Sequence, residues 1–449
     1  MKRRIRRLSS TQMILIGFLI IILAGSILLH LPVSSANGKS VNFIDALFTA
    51  TTATCVTGLV TLPTVTVWSP FGQAVILILI QIGGLGVITI ATGIMVMLGK
   101  RIGISNRILI QDSFNLNSLS GIIRFIKKVL IGTFIIEGIG ALFYMTVFIP
   151  EFGIKGIWIS VFNSVSAFCN AGIDIISENS LCDYALNPII NMTTALLIML
   201  GGIGFVVWWD VVRIIKDKKC RHFRFLTLHS KIALSVTGFL IIVGTALFFI
   251  FEYNNPMTMQ NYSLVEKMEA SFFQSVTTRT AGFATIPQEN FTNASAIVSL
   301  LLMFIGGSPV GTAGGIKTVT FIVMLMTAIS VINNKRTVDV FNRQISEQAI
   351  KKAMTVFCTS FAVMTISTLL LSAVSNAEFL DVIYETVSAT ATVGLTRNFT
   401  SSLNTLGKII IIATMYFGRV GPISLAVAFN IKKGCKNIIE NPVEEISVG

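Results

Sequence analysis

Four short segments of this chain end in the same kind of turn, and their spacing constrains the fold more than any other feature. Each turn carries a glycine, at Gly58, Gly172, Gly282 and Gly394. The glycines lie 114, 110 and 112 residues apart, which predicts four parallel copies of one unit. An aromatic residue stands ten positions before each glycine, at Phe48, Phe162, Phe272 and Tyr384. Thirteen positions before, three copies carry an acid, at Asp45, Glu269 and Asp381, and the second carries Ile159.

The composition places these units in a membrane. Hydrophobic residues make up 53% of the chain and charged residues 12%, which excludes an ordinary soluble core. A bilayer-spanning helix needs about 20 apolar residues. Each unit contains two such stretches, at 12–34 and 70–98, 129–150 and 187–215, 230–252 and 294–332, and 353–375 and 404–430. The sequence therefore predicts an all-α polytopic membrane protein with eight transmembrane helices.

Between the two stretches of each unit lies a shorter segment that leads into the glycine turn. These segments are too short to cross a bilayer: 43–53, 157–168, 264–277 and 377–389. Irregular backbone at membrane depth is tolerated where protein or water surrounds it, so we expect re-entrant pore loops. The chain would then consist of four membrane helix, pore helix, membrane helix (M1-P-M2) repeats around a pseudo-fourfold axis. The expected divisions are 1–104 for repeat 1, 105–219 for repeat 2 with its preceding cytoplasmic link, 220–336 for repeat 3 with a broken second helix, and 337–449 for repeat 4 with a cytoplasmic tail.

Charge predicts the orientation. Lys and Arg concentrate in the N-terminus, in the links between repeats and in the tail, and five lie around the turns: Lys39, Lys155, Lys267, Arg279 and Arg397. The positive-inside rule then makes both termini cytoplasmic in a multi-pass plasma-membrane protein. The net charge of +13 fits this topology and attraction to anionic lipid better than nucleic-acid binding. Outer acids such as Asp174, Glu178 and Asp183 either concentrate cations at the mouth or merely keep the loops soluble.

The residues around each glycine form a candidate cation filter. Glycine supplies backbone freedom, and four such strands around an axis can replace the hydration shell of a monovalent cation with carbonyl oxygens. The candidate residues are Val56, Thr57 and Gly58; Asn170, Ala171 and Gly172; Thr280, Ala281 and Gly282; and Thr392, Val393 and Gly394. No ring of carboxylates or thiolates accompanies them, which disfavours a tightly held divalent metal. The alternative is that the glycines only cap helices, which would not explain the matched flanks.

Together with the segments 306–317 and 417–422, this arrangement resembles the Trk/Ktr/HKT superfamily of potassium transporters. The resemblance covers nearly the whole chain and is nearest to the bacterial Ktr-type membrane subunit. It implies a homodimer with one pore per protomer and a cytosolic ring of nucleotide-binding RCK (KTN) subunits that opens and closes the pore. It implies no tightly bound cofactor. Potassium is the transported ion, and whether sodium acts as an activator or a co-ion stays open.

The resemblance also bears on selectivity. Potassium selectivity in the family goes with glycine in all four filters, and the first filter here has Gly58, where many sodium-carrying relatives have serine. No copy reads Thr-Val-Gly-Tyr-Gly, and Arg279 enters the third filter. We therefore expect weaker selectivity than in a channel of four identical subunits.

The second apolar stretch of repeat 3, 294–332, is too long for one straight crossing and is rich in glycine between 306 and 315. Such a sequence breaks a helix, which predicts either an intramembrane gate or a static kink. The candidate gate residues are Gly306, Gly307, Ser308, Gly311, Gly314, Gly315 and Lys317, with Arg419 from repeat 4. A phosphate-binding loop is excluded because Ile316 stands where that motif requires glycine. Lys317 is expected to face the inner vestibule or a partner.

Arg419 occupies the place held by Gly84, Gly202 and Gly307 in the other repeats. A charge at mid-span costs about 2.5 to 3.5 kcal/mol on insertion scales and usually faces the bundle interior. It is interpreted as a cationic barrier below the filter. The alternative is a structural arginine paired with helix-end carbonyls.

Other functional classes fit less well. A sodium-coupled potassium symporter is the alternative, although symporters of the broken-helix type usually carry inverted repeats. An enzyme is disfavoured because the histidines, His30, His222 and His229, lie far from the turns and form no catalytic cluster.

Overall fold

The computed structural model describes residues 10–98, 102–114, 121–217 and 223–421. The basic N-terminal segment 1–9 and the tail 422–449, both expected in the cytoplasm, lie outside these ranges, as does His222. The described chain is helical apart from short turns and one two-stranded hairpin, which agrees with the predicted fold class.

Repeats 1 and 2 each contain a long first helix, a pore helix and a second segment made of two helices. Repeat 1 consists of α1 (Ser10–His30), α2 (Phe43–Cys55), α3 (Thr64–Val67), α4 (Pro70–Leu85) and α5 (Val87–Met97). Repeat 2 follows with α6 (Ile104–Phe114), α7 (Ile122–Phe152), α8 (Lys155–Cys169), α9 (Pro188–Gly202) and α10 (Phe205–Lys216). The pore helices are α2 and α8.

Repeats 3 and 4 follow the same plan, with α12 and α16 as pore helices. Repeat 3 consists of α11 (Leu228–Glu252), α12 (Leu264–Thr277), α13 (Asn293–Phe304) and α14 (Thr318–Ile332). An antiparallel hairpin of β1 (Asp339–Val340) and β2 (Arg343–Gln344) leads into repeat 4. Repeat 4 consists of α15 (Glu347–Val374), α16 (Phe379–Ala391) and α17 (Thr405–Val420).

The first helix of each repeat forms the membrane-spanning frame. Among the described residues, α1, α7, α11 and α15 are each long and apolar enough to cross a bilayer alone. Large apolar side chains on these helices, such as Phe134, Ile242 and Leu369, are more than half exposed. Continuous apolar exposure of this kind is rare in soluble proteins and marks a surface that contacts lipid. The chain is an integral membrane protein.

The second segments of repeats 1 and 2 are not the continuous spans that the sequence suggested. The axes of α4 and α5 differ by 98°, and those of α9 and α10 by 97°. Gly86 (φ +86°) and Gly204 (φ +95°) stand at these bends in left-handed conformations, which interrupt a helix. In repeat 4, α17 ends at Val420, before Gly421 (φ +88°), and the rest of the expected span 404–430 lies outside the described residues. An interrupted second segment, which the sequence indicated for repeat 3, therefore occurs in repeats 1 and 2 as well.

The pore helices lie at the centre of the molecule. Three of the four aromatic residues that the repeat pattern singled out, Phe48, Phe162 and Tyr384, are fully buried. In repeat 3 the fully buried aromatic is Phe273, one position later, and Phe272 is half-buried. The side chain of Asn42 caps α2, and Ser263 with Glu266 forms a capping box on α12, which explains where these helices begin.

The repeats pack in a closed cycle. The second segment of each repeat packs on the pore helix of the next: α4 on α8, α9 on α12, α13 on α16, and α17 back on α2. Lys408 of α17 forms an ion pair with Asp45 of α2 at 2.5 Å. The hydroxyl of Tyr416 donates to the carbonyl oxygen of Leu15 in α1 at 2.9 Å. Repeat 4 thus contacts repeat 1 as directly as consecutive repeats contact one another.

Candidate functional site

The four glycine turns meet in one ring, as the repeat pattern required. A Cβ added to Gly58 would lie closer than 3.0 Å to the carbonyl oxygen of Ala171 in repeat 2. The same clash recurs between Gly172 and the oxygen of Ala281, between Gly282 and that of Val393, and between Gly394 and that of Thr57. Each glycine thus contacts the turn of the next repeat, at the carbonyl oxygen of the residue that precedes the glycine there. The four backbones therefore form a closed ring of four turns, the glycine ring. No side chain fits at any of the four places.

The backbone of each turn has positive φ values at the glycine and at the residue two positions before it. The glycines have φ values of 96°, 63°, 84° and 97°. Two residues earlier, Val56, Asn170, Thr280 and Thr392 also have positive φ, between 50° and 69°. A left-handed residue with a Cβ costs about 1 to 2 kcal/mol, so the surrounding structure must hold these turns in place.

Hydroxyl groups of the pore helices brace three of the turns. The amide of Gly58 donates to Thr52 Oγ1 at 3.0 Å, and that of Gly394 donates to Ser388 Oγ at 3.0 Å. In repeat 2 the amide of Ile173 donates to Ser166 Oγ at 3.1 Å. Each hydroxyl lies six residues before its glycine, so the brace has a recurring sequence signal that the glycine and aromatic pattern alone did not reveal.

The third turn is held differently. Its pore helix ends at Thr277, five residues before Gly282, whereas the others end three residues before their glycines. The bracing position is Val276, and Thr277 donates instead to the carbonyl oxygen of Phe283, beyond the glycine, at 2.6 Å. The side chain of Arg279 lies behind the turn, where it donates to the carbonyl oxygens of Thr237 and Gly306, each at 3.2 Å. Its expected effect on selectivity stays a prediction.

The break in repeat 3 is an ordered loop, 305–317, on the side of the ring where the pore helices end. Thr312 Oγ1 lies 3.1 Å from the carbonyl oxygen of Phe168 and 3.2 Å from Asn170 Oδ1, both in repeat 2. A Cβ on Gly314 would clash with the side chain of Thr392 in repeat 4. The loop therefore passes between the turns of repeats 2 and 4.

The two ends of this loop are held together. Ile305 and Ile316 form a parallel bridge, and the amide of Gly306 donates to the carbonyl oxygen of Ile316 at 2.9 Å. One step further, the amide of Thr318 donates to the oxygen of Gly307 at 3.0 Å. The loop is thus a closed unit inserted between α13 and α14, and the expected helix break lies between these two helices.

The bend of repeat 2 supports the loop. The amide of Ser308 donates to the carbonyl oxygen of Gly202 at 2.9 Å, and the amide of Phe205 donates to that of Val310 at 2.9 Å. A Cβ on Gly311 would meet the backbone of Gly201 and Gly204. Gly311 is therefore required by a close backbone approach.

Arg419 connects three repeats. From α17 its Nη1 donates to the carbonyl oxygen of Thr312 in the loop at 2.6 Å. Its Nη2 donates to the oxygens of Gly83, at 2.5 Å, and Gly84, at 3.4 Å, near the end of α4. The guanidinium is thus paired with helix-end carbonyls and also holds the loop. Lys317, the other cation of the candidate gate, donates to the carbonyl oxygen of Ala313 within the loop at 2.5 Å.

The outer acids differ in burial. Asp174, two residues after Gly172, is 9% exposed and accepts a hydrogen bond from the amide of Ile176 at 3.3 Å. Burial raises the pKa of this carboxyl group to about 6. Glu178 and Asp183 are exposed.

Metal-binding and thiol groups add no further centre to the part of the chain that the structure describes. Within these ranges no three His, Cys, Asp or Glu side chains lie close enough to hold a metal ion. Cys55 and Cys169, three residues before their glycines, are buried free thiols.

Comparison with known proteins places this architecture among cation transporters. The TrkH family profile, described as a cation transport protein, matches residues 5–440. A potassium/sodium uptake protein of Enterococcus hirae is 40% identical over 100% of this chain and 99% of its own length. The Ktr system potassium uptake protein B of Bacillus subtilis is 40% identical over 99% of this chain and 97% of its own length. The crystal structure of the potassium transporter TrkH from Vibrio parahaemolyticus has a TM-score of 0.73 and 16% identity, and covers 95% of this chain and 86% of that one. The chain belongs to the TrkH family of cation transport proteins.

Proposed function

We propose that this chain is the membrane subunit of a potassium uptake system, with the glycine ring as its selectivity filter. The observation that carries the proposal is the closed contact of the four glycines with the neighbouring carbonyl oxygens. A backbone ring of this kind can offer oxygens to a dehydrated monovalent cation. Relatives named as potassium uptake proteins, in Bacillus subtilis and in Vibrio alginolyticus at 35% identity, support potassium as the ion.

The electrostatics around the ring favour a cation. Pore helices α2, α8 and α16 end three residues before their glycines, so their C-terminal ends point at the ring. A helix C-terminus carries about half a negative elementary charge. The buried hydroxyls of Thr54, Thr57, Thr390 and Thr392 have no hydrogen-bond partner within the described chain. Buried polar atoms of this kind require a water or an ion, so they fit a path for a hydrated cation on the inner side of the filter.

The loop 305–317 and Arg419 form the proposed gate. The loop lies against the filter turns of repeats 2 and 4, and Arg419 ties it to α4 of repeat 1. A positive charge at this place repels a cation leaving the filter. The hydrogen bonds therefore hold the loop in its closed position, and the positive charge raises the electrostatic barrier to a cation along the path.

The proposal extends to the topology, the assembly and the regulation of the system. Both termini lie in the cytoplasm of a plasma-membrane protein, two copies assemble with one pore each, and a cytosolic RCK ring moves the loop. Two Bacillus subtilis relatives are named as parts of a Ktr system, which supports a partner subunit. The membrane potential drives uptake, since one elementary charge crossing the full field gains about 2.3 kcal/mol per 100 mV.

Sodium coupling is the second candidate, and the name of the Enterococcus hirae relative, a potassium/sodium uptake protein, favours it. Flux into liposomes that contain the purified protein separates the two. A filter conducts potassium passively, and the zero-current voltage follows the potassium gradient alone. A symporter would move potassium against its gradient when only a sodium gradient is supplied. No flux of either ion, in the intact protein or in one whose segment 306–315 is shortened so that the proposed gate is open, would contradict both candidates.

A further inference from the structure

The third filter turn lacks the support that the other three receive. Thr52, Ser166 and Ser388 brace their turns from the pore helix, but the corresponding Val276 has no hydroxyl. The pore helix of repeat 3 also ends two residues earlier relative to its glycine. Its pore helix instead holds the far side of the turn, through the bond from Thr277 to the carbonyl oxygen of Phe283, and support on the near side comes from another part of the molecule.

Arg279 supplies that support from behind the turn. Its residue is 7% exposed, and within the described ranges no carboxylate forms an ion pair with it. Its two terminal nitrogens donate to the carbonyl oxygens of Thr237 in α11 and Gly306 in the loop. A buried cation without a counter-ion is costly at membrane depth, and such residues usually have a function.

The acceptor Gly306 is where the loop begins. Its amide and the bridge between Ile305 and Ile316 close the loop, so the carbonyl of Gly306 must move when the loop moves as a unit. Beside Arg279 and Gly307 lies a cavity of about 20 Å³, bordered by Gly202 and Ile203 of repeat 2. This volume is enough for about one water molecule. The start of the loop is thus hydrogen-bonded to Arg279 on one side and loosely packed on another.

We propose that Arg279 is a positioning residue that couples the gate loop to the third filter turn. When the loop leaves its closed position, the bond to Gly306 is broken or redirected, and the turn that carries Thr280 and Gly282 changes its geometry. Potassium binding in the filter then depends on the position of the gate. The inference rests on the proposed roles of the ring as filter and of the loop as gate.

A double-mutant cycle on the full-length protein tests this coupling. The two changes are Arg279→Gln and a shortened connection in place of residues 306–315, which removes the Gly306 acceptor. Potassium affinity is obtained from the rise of the melting temperature with potassium concentration, with sodium as the competing ion. Thr52→Val is the matched control, because it removes a brace from the first turn, which this contact does not reach.

Each change alone should alter potassium affinity, by about fivefold or more, the usual lower range of coupling between sites. In the shortened protein Arg279→Gln should add no further change, whereas Thr52→Val should add its own effect to that of the shortened loop. Arg279→Lys keeps the charge but not the two-pronged reach, so it should resemble Arg279→Gln. If Arg279→Gln does not fold, Arg279→Lys provides the same cycle.

Two results would overturn the coupling. Equal effects of Arg279→Gln in the intact and shortened proteins would mean that the charge acts on the filter alone. Unchanged potassium affinity with a lower melting temperature would make Arg279 merely structural.

Failure of the proposed filter or gate would give different results. A protein that potassium never stabilises has no potassium filter, and the coupling falls with it. A shortened protein that stays closed to potassium flux contradicts the gate, while the affinities still decide the coupling.

Discussion

The second segments of repeats 1 and 2 break where that of repeat 3 does, but the two kinds of break do different things. In repeats 1 and 2 the chain turns through 98° and 97° at a single left-handed glycine. In repeat 3 residues 305–317 intervene and reach the turns of two neighbouring repeats. A break in a membrane helix is therefore not in itself a gate. In the proposed mechanism it becomes one when it is long enough to contact the glycine turns of its neighbours.

Shortening the segment from Gly306 to Gly315 should have the largest effect. The loop would lose its contacts with Asn170, Thr392 and Arg419, which hold it against the ring. Potassium flux without the partner subunit should rise by about ten- to a hundredfold, within the usual range of coupling between sites. Flux per folded protein in liposomes measures this. Gly58→Ser in the same shortened protein should lower selectivity, which shows that the flux passes through the ring. A shortened protein that stays closed and dependent on its partner would make the break a static kink.

Gly58→Ser should have the next largest effect, with Gly86→Ser as its control. Both glycines are left-handed, but a Cβ on Gly58 meets the oxygen of Ala171, whereas one on Gly86 meets only Thr89 Oγ1 at 3.8 Å. Gly58→Ser should lower the preference for potassium over sodium about tenfold, the equivalent of about 1.4 kcal/mol. The readout is the zero-current voltage under mixed ionic conditions. Unchanged selectivity in a folded Gly58→Ser protein would remove Gly58 from the filter.

Substitution of Arg419 should raise flux severalfold. Arg419→Ala and Arg419→Gln remove both the charge and the bonds that tie the loop to repeat 1. Arg419→Lys should keep much of the barrier through its charge, although it loses the forked geometry. Flux and the amount of folded protein are measured for all three variants. A structural arginine would instead lower flux and melting temperature together in the Ala and Gln variants, and normal flux in all three would rule out the barrier.

The smallest expected effect is the difference in flux between substitutions at the two bends, Gly86 in repeat 1 and Gly204 in repeat 2. Alanine at Gly86 or at Gly204 pays for a left-handed Cβ, about 1 to 2 kcal/mol of stability. A Cβ at Gly204 would also lie 2.5 Å from the carbonyl oxygen of Pro309 in the loop, whereas no atom of the loop lies within 4 Å of a Cβ at Gly86. Gly204→Ala should therefore raise partner-independent flux about two- to fivefold, at the low end of coupling effects. Similar flux in both variants would mean that the bend of repeat 2 does not support the loop.

The sequence predicted the repeats and the ring because each ring position requires glycine for the same steric reason. Four copies of one requirement leave a regular spacing, which is visible without a structure. The bends at Gly86 and Gly204 were missed because glycine is frequent in membrane helices, so the glycine clusters 83–86 and 201–204 are also compatible with straight spans. Packing against the next repeat decides between the two.

Side-chain direction was the other limit. Arg279 stands in the third turn by sequence, but in the structure its side chain lies behind the turn and donates to the carbonyl oxygens of Thr237 and Gly306. Likewise, the position of Arg419 in the aligned spans was evident from the glycines of the other repeats. Its acceptors, the oxygens of Thr312 and Gly83, depend on how far the loop and α4 approach one another, which local sequence does not determine.

The packing of α17 on α2, with the ion pair of Lys408 and Asp45, closes the four repeats of a linear polypeptide into a ring. The junction between repeats 4 and 1 has no peptide link between adjacent elements, yet it uses the same helix-on-helix contact as the linked junctions. A covalent connection between repeats then serves mainly to raise the effective concentration of one beside the next. Two half-molecules, each made of two repeats and synthesised separately in one membrane, should be able to find each other and rebuild the pore.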